Sequence, residues 1–111
     1  MLVSIITVAF NSKSTIEDTI VSVLAQRHKY IEYIIVDGGS TDGTLDVIHR
    51  YKASIQKVVS EPDNGIYDAM NKGISLATGD IVGILNADDL YVDSSVIGKV
   101  AAAFCSFPVD A

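Results

Sequence analysis

The 111-residue chain has a single cysteine, Cys105, so no disulfide can close within it, and a reducing cytoplasm is the expected setting. It is short of positive charge. Eight Lys and Arg stand against fourteen Asp and Glu, leaving a formal net charge of −6. That balance argues against nucleic-acid backbones and anionic membrane surfaces as main partners, because both are gripped through basic patches. A nucleotide held through a metal ion is not excluded. No apolar run is long enough to cross a bilayer, and the start lacks the basic and long apolar regions of a secretory leader. No glycine occurs before Gly38, so the first strand-to-helix turn can form neither a G-x-G-x-x-G dinucleotide fingerprint nor a Walker phosphate loop.

What is present suits one globular domain. Apolar residues make up 49% of the chain, enough for one real core. Leu2–Val8 is β-branched and mostly apolar and reads as a central strand. Ser14 and Glu17 have capping-box spacing, and Ile16, Ile20, Val23 and Leu24 continue a helix to about Gln26. Tyr33–Asp37 is a second strand, Gly38–Thr41 a turn in which Ser40 or Thr41 can cap the next helix, and Leu45, Ile48 and Tyr51 that helix's inner face. Ile55–Val59 is a short third strand. Ile66, Met70, Ile74 and Ala77 recur along a third helix that stops near Thr78-Gly79. Ile81–Leu85 reads as a buried fourth strand. Asp93 can cap a last helix through Val96, Val100, Ala103 and Phe104, closed by Pro108. The order β-α-β-α-β-α-β-α predicts a three-layer α/β/α fold with a mainly parallel sheet and right-handed crossovers.

Four loops follow the four strands and should open on one sheet edge: Thr7–Asn11, Asp37–Asp42, Glu61–Gly65 and Asn86–Asp89. Three carry carboxylates. Thr7, Asp37 and Asp89 are expected to meet at this rim. Adjacent carboxylates repel, so Asp88 and Asp89 call for a cation, a proton or a hydroxyl, and a hard divalent ion carrying a phosphate is the economical partner. Asp37 could accept hydrogen bonds from a base or ribose, or equally from the backbone N–H groups of Gly39 or Ser40 in a turn. Asp88-Asp89 could cap a helix, although Asp93 is better placed to do so. His28 and His49 read as surface residues, Cys105 as a small core residue, Tyr67 and Tyr91 as packing residues, and Lys29, Lys52 and Lys57 as solvated.

Together these loops resemble the amino-terminal, nucleotide-sugar-binding half of a family 2 glycosyltransferase with the GT-A fold, whose sheet is Rossmann-like. The matching stretches are Val3–Asn11, Ile35–Thr44, Asn71–Ile74 with Ala77–Asp80, and Leu85–Asp89, in the family's order and spacing. Glu61–Gly73 is similar to bacterial members that build O-antigen and exopolysaccharide. The resemblance implies that Thr7, Ala9 and Asn11 line the base and ribose pocket and that Asp37 bonds the base, commonly uracil. It implies that Asp63, Gly65 and Asn71 lie near the nucleotide or its phosphates. Asp88 would face the ribose or a metal-bound water, and Asp89 would hold Mn²⁺ or Mg²⁺ directly.

The implied reaction is metal-dependent, inverting transfer from a nucleotide sugar, UDP-linked for preference, to a saccharide or lipid-linked saccharide, in the cytoplasm or at the inner face of the cell membrane. Two positions depart from the family pattern: Asn86 stands where an acid is common, and Met70 where an arginine often precedes the asparagine at 71. The family's catalytic base and acceptor region lie beyond the acidic motif, so residues 1–111 are expected to form a single donor-binding domain, truncated before the acceptor half. An apolar flank exposed by that truncation would favour homo-oligomers. A non-catalytic nucleotide-binding module is the alternative reading. A nucleotidyltransferase is another, but it would want a glycine-rich basic first loop. A phosphoryl-accepting protein would have to use Asp37.

Overall fold

The computed structural model describes residues 2–91 and 94–106, with only the backbone of 104–106. The Asp93 cap, the Phe104 and Cys105 side chains, Pro108 and Asp110 lie outside the described residues. In chain order the elements are β1 (Val3–Ala9), α1 (Ile16–Leu24), β2 (Ile31–Asp37), α2 (Thr44–Arg50), a 3₁₀ turn (Lys52–Ser54), β3 (Lys57–Ser60), α3 (Ile66–Leu76), β4 (Ile81–Ile84) and α4 (Val96–Ser106). The expected alternation is therefore present throughout. All strand pairs are parallel, in the order β3-β2-β1-β4.

β1 and β2 form the centre because both faces of each are buried, as their unbroken β-branched runs require. One face, with Val3, Ile5, Tyr33 and Ile35, packs against Ile16, Ile20 and Val23 of α1, Val47 and Ile48 of α2, and Ile97 and Ala101 of α4. The other face, with Ile6, Val8, Ile34 and Val36, packs against Ala69 of α3 and the half-buried Met70, Leu76 and Ala77. This is the α/β/α arrangement expected.

Several local expectations are corrected. β4 is an edge strand, and Val82 and Ile84 are 43% and 41% exposed, because α3 covers β1 and β2 rather than β4. α3 does not present Ile66 and Ile74 inward; both are about half exposed, and the small residues Ala69 and Gly73 face the sheet instead. The Ser14 capping box is not used: α1 starts at Ile16, whose N–H bonds the Ser12 carbonyl. Neither Ser40 nor Thr41 caps α2. The Asp42 carboxylate does so, accepting the Thr44 N–H at 3.0 Å. Tyr67 is 79% exposed rather than packed. Lys57 is not free in solvent: it pairs with Glu32 at 3.3 Å and donates to the Leu76 carbonyl at 2.6 Å.

Candidate active site

Sheet order reverses between β1 and β4. The chain steps from β1 to β2 to β3 along one direction, then returns past β1 to place β4 on its other side, with α3 on the opposite face from α1 and α2. Loops leaving β1 and β4 diverge there, and a crevice opens at the strands' carboxyl ends. It has a volume of about 710 Å³, within the range of small-molecule sites. All four strand-end loops contribute to its walls: Phe10, Asn11, Ser12, Ser14 and Thr15 after β1, Gly38 after β2, Asp63 and Gly65 after β3, and Asn86 to Asp88 after β4.

The first two loops are bound to each other. Asn11 adopts a left-handed backbone (φ 46°), which asparagine tolerates better than most residues. Its N–H donates to Ser40 Oγ at 2.8 Å, and its own Oδ1 accepts the Thr41 N–H at 2.8 Å. The Ser12 N–H reaches Thr44 Oγ1 at 2.8 Å, and the Lys13 N–H reaches Asp42 Oδ2 at 3.2 Å. The second and third loops meet where Gly38 passes Asp63. A Cβ at Gly38 would stand 2.7 Å from Asp63 Oδ2, so only glycine lets that carboxylate approach unmoved. Asp63 Oδ1 in turn accepts the Gly65 N–H at 3.0 Å.

The acidic loop is held from two sides. The Leu85 and Ala87 N–H groups bond the Ile6 and Val8 carbonyls of β1, at 2.8 and 3.2 Å, and the Asp89 N–H bonds the Asn86 carbonyl at 2.9 Å. From α1, the buried Thr19 hydroxyl faces the Ala87 and Asp89 carbonyls. Asp88 lines the crevice, and its carboxylate has no hydrogen bond or ion pair with other described residues. Asn86 Oδ1 is buried in the same wall with no hydrogen-bond partner among the described residues.

The implied site residues divide accordingly. Ala9, Asn11, Asp63, Gly65 and Asp88 line the crevice. Thr7, Asp37, Asn71 and Asp89 do not. Thr7 is fully buried, because strand alternation turns it toward the α1 side, where it shares a 2.8 Å hydrogen bond with the Tyr33 hydroxyl. Burial pushes the Tyr33 phenol well above its ordinary pKa, against the opposing pull of Thr7, so it remains a neutral partner. Asp37 is also fully buried and already saturated. It accepts the N–H groups of Gly39 and Ser40 at 3.0 and 2.9 Å, and the hydroxyls of Ser40 and Ser60. Of the two readings open for Asp37, this is the turn geometry. Asn71 is exposed on the flank of α3, one position past the sheet-facing Met70. Asp89 is exposed outside the crevice, because the loop turns after Asp88. The loops converge as expected, but through Ala9, Gly38 and Asp88 rather than through Thr7, Asp37 and Asp89.

Residues not expected as site residues complete the walls: Val8, Phe10, Ser12, Ser14, Thr15, Gly38, Ile66, Ala69, Asn86 and Ala87. The only sequence signal for most of them is adjacency to a strand's end. Among the described residues that line the crevice there is no Lys, Arg or His, while Asp63 and Asp88 are both carboxylates. No group of three or more His, Cys, Asp or Glu side chains arranged to hold a metal occurs among the described residues.

A crevice at the switch point of a parallel sheet is where open α/β proteins bind their ligands. Comparison with known proteins makes the class specific. The family described as glycosyl transferase family 2 matches residues 4–111, and the chain belongs to that family. TuaG of Bacillus subtilis, a glycosyltransferase named for teichuronic acid biosynthesis, is 44% identical over 93 residues, covering 81% of this chain and 37% of TuaG. Staphylococcus aureus TarS (residues 1–349), solved with UDP-GlcNAc, matches with a TM-score of 0.83 at 26% identity over 92% of this chain and 30% of that one. The mannosyltransferase PcManGT of Pyrobaculum calidifontis, solved with GDP-Man and Mn²⁺, matches with a TM-score of 0.85 at 27% identity, over 96% of this chain and 32% of that one. The chain spans about two fifths of the length of the curated relatives it matches. No helix among the described residues is long and apolar enough to cross a membrane.

Proposed function

We propose that these 111 residues form the donor-binding domain of a glycosyltransferase, and that the crevice takes a nucleoside diphosphate sugar, UDP-linked for preference, together with a divalent cation. The observation that carries this reading is the sign of charge in the walls. A diphosphate cannot sit against Asp63 and Asp88 with no cationic side chain beside it unless it brings positive charge along. The bound nucleotides of TarS and PcManGT, and the Mn²⁺ of the latter, support the same choice of ligand.

The donor set fits a hard ion. The unpaired Asp88 carboxylate and the orphaned Asn86 Oδ1 are oxygen ligands of the kind Mg²⁺ and Mn²⁺ take. A site with so few protein ligands suits a cation that completes its shell with water and substrate phosphate. Asp88 and Asn86 would hold it from the crevice wall, with the adjoining exposed carboxylate of Asp89 as the direct ligand that the resemblance implies. When bound, the cation neutralises charge developing on the departing diphosphate. Ala9 and Phe10 then offer apolar wall to the base, and Gly38 and Gly65 leave room for close approach of the backbone. Transfer inverts the anomeric centre in one displacement. The acceptor is a saccharide or lipid-linked saccharide whose hydroxyl a carboxylate base deprotonates.

Calorimetric titration of the chain with UDP, GDP and UDP-GlcNAc, with and without Mn²⁺, tests the reading. Nucleotide affinity should fall at least roughly tenfold when the metal is chelated, and Asp88→Asn should abolish the metal-dependent part. Asp89→Asn should lose the metal-dependent part of the affinity as well, as expected for a direct oxygen ligand to the cation. Affinity indifferent to both metal and Asp88 would defeat the proposal.

A further inference from the structure

We infer that Thr19 is the positioning residue of the acidic loop: through one buried hydroxyl, α1 sets where the Asp88 carboxylate stands in the crevice. Thr19 is 1% exposed and lies on the apolar face of α1 among Ile16, Ile20 and Val23. Valine would fill that place with the same shape and no polar atom to satisfy, so the hydroxyl calls for an explanation. Its Oγ1 is 3.0 Å from the Ala87 carbonyl and 2.5 Å from the Asp89 carbonyl, whereas the carbonyl of Thr15, one helical turn back, is 3.5 Å away. The single hydroxyl proton therefore goes to the loop rather than back to its own helix. A β-branched side chain has few χ1 states in a helix, so the donor is already aimed.

The two carbonyls flank Asp88. The Ala87 and Asp89 N–H groups are also taken, by Val8 and Asn86. The residues on either side of Asp88 are thus tied to β1, to the loop itself and, among the described residues, through Thr19 to α1. The same helix face goes on to hold the next segment. Ser22 Oγ accepts the Tyr91 N–H at 3.2 Å, and Gln26 Oε1 accepts the Ile97 N–H at 2.9 Å. Thr19 and Ser22 stand at i and i+3 on the otherwise apolar face of α1, and Gln26, two residues past the helix's end, extends the same polar seam. Only Thr19 reaches the residues beside the proposed metal-binding carboxylate.

The functional part of this inference rests on the donor-cleft reading, and the test separates the two. In the ligand-free chain, Thr19→Val should speed hydrogen exchange at the Ala87 and Asp89 amides by roughly tenfold, with amides of β2 unchanged, as expected from loss of one buried hydrogen bond. Thr19→Ser, which keeps the hydroxyl, should exchange as wild type does. In calorimetry, Thr19→Val should lose roughly tenfold in Mn²⁺-dependent UDP affinity while metal-free UDP binding is unaltered, and Thr19→Ser should restore it. Thr19→Ala removes the same hydroxyl without placing a methyl against the loop, and carries the test if Thr19→Val does not fold. Wild-type exchange rates in the variants lacking the hydroxyl, or a lowered melting temperature with Mn²⁺-dependent affinity intact, would overturn the inference. Wild-type protein that ignores UDP and Mn²⁺ would overturn the donor-cleft reading and leave the exchange result to decide whether Thr19 holds the loop.

Discussion

Glu32 shows what a carboxylate does here when it has no ligand to serve. It sits at the end of the sheet away from the crevice, where its oxygens accept the Ser4 hydroxyl, the Thr78 N–H and the Thr78 hydroxyl, each at 2.9 Å, and pair with Lys57. Burial by itself pushes the Glu32 pKa up, but those donors outweigh it and hold it at about 2, against an ordinary 4.5. The unfolded chain therefore binds more protons than the folded one between these values. Stability that Glu32 contributes is complete above pH 4.5 and is lost as pH falls toward 2. Glu32→Gln should cost on the order of 2 kcal/mol at neutral pH, and the gap from wild type should close in urea titrations run at progressively lower pH within that window. Asp37 is satisfied in the same way by its turn, whereas the exposed Asp88 carboxylate makes no hydrogen bond or ion pair with other described residues. These three acids look alike as letters. Asp37 and Asp88 both follow apolar runs, and the difference between them is the direction the chain takes after each. That direction is set by Gly39 (φ 88°) in one case and by Thr19 from a distant helix in the other. Proximity to strand ends was legible in the sequence; which acid would be left over for a ligand was not.

Helices and strands were legible where the apolar pattern was strong, and misread where packing preferred small residues. α3 has isoleucines at 66 and 74 that suggest an inward face, yet the helix lies on the sheet through Ala69 and Gly73. A Cβ at Gly73 would stand only 2.4 Å from Ile6 Cγ2, and because a Cβ is fixed by the backbone, Ile6 or the helix would have to shift. Gly73→Ala should therefore destabilise by about 1–3 kcal/mol despite the better helix propensity of alanine, read as a lower urea midpoint. An increase in stability would show that α3 can move off β1. β4 was misread for a related reason. Its alternation of Ile81, Val82, Gly83 and Ile84 has no polar residue to mark the exposed side, so an edge strand reads as a buried one. The seam along α1 is invisible for the opposite reason, since Thr19, Ser22 and Gln26 are ordinary surface choices until their distant partners are placed.

At the scale of the whole molecule, the βα alternation alone was enough to predict a parallel sheet and a crevice at its carboxyl edge, because few topologies satisfy right-handed crossovers. Strand order, and with it the switch point between β1 and β4, came only with the structure. The outer edge of β4 carries no partner strand among the described residues, and Val82 and Ile84 of that strand are exposed. An apolar, unpaired edge invites pairing between copies. Sedimentation velocity across a range of concentrations should show reversible self-association that Ile84→Lys suppresses. A clean monomer at all concentrations would count against it.

The mutual grip of Asn11 with Ser40 and Thr41, and of Ser12 and Lys13 with Thr44 and Asp42, has a practical corollary for anyone wishing to rebuild this rim elsewhere. Neither segment's shape is wholly its own. Transplanted singly onto a foreign scaffold, each would arrive with half its fasteners missing, so residues 10–13 and 40–44 must travel as one cassette.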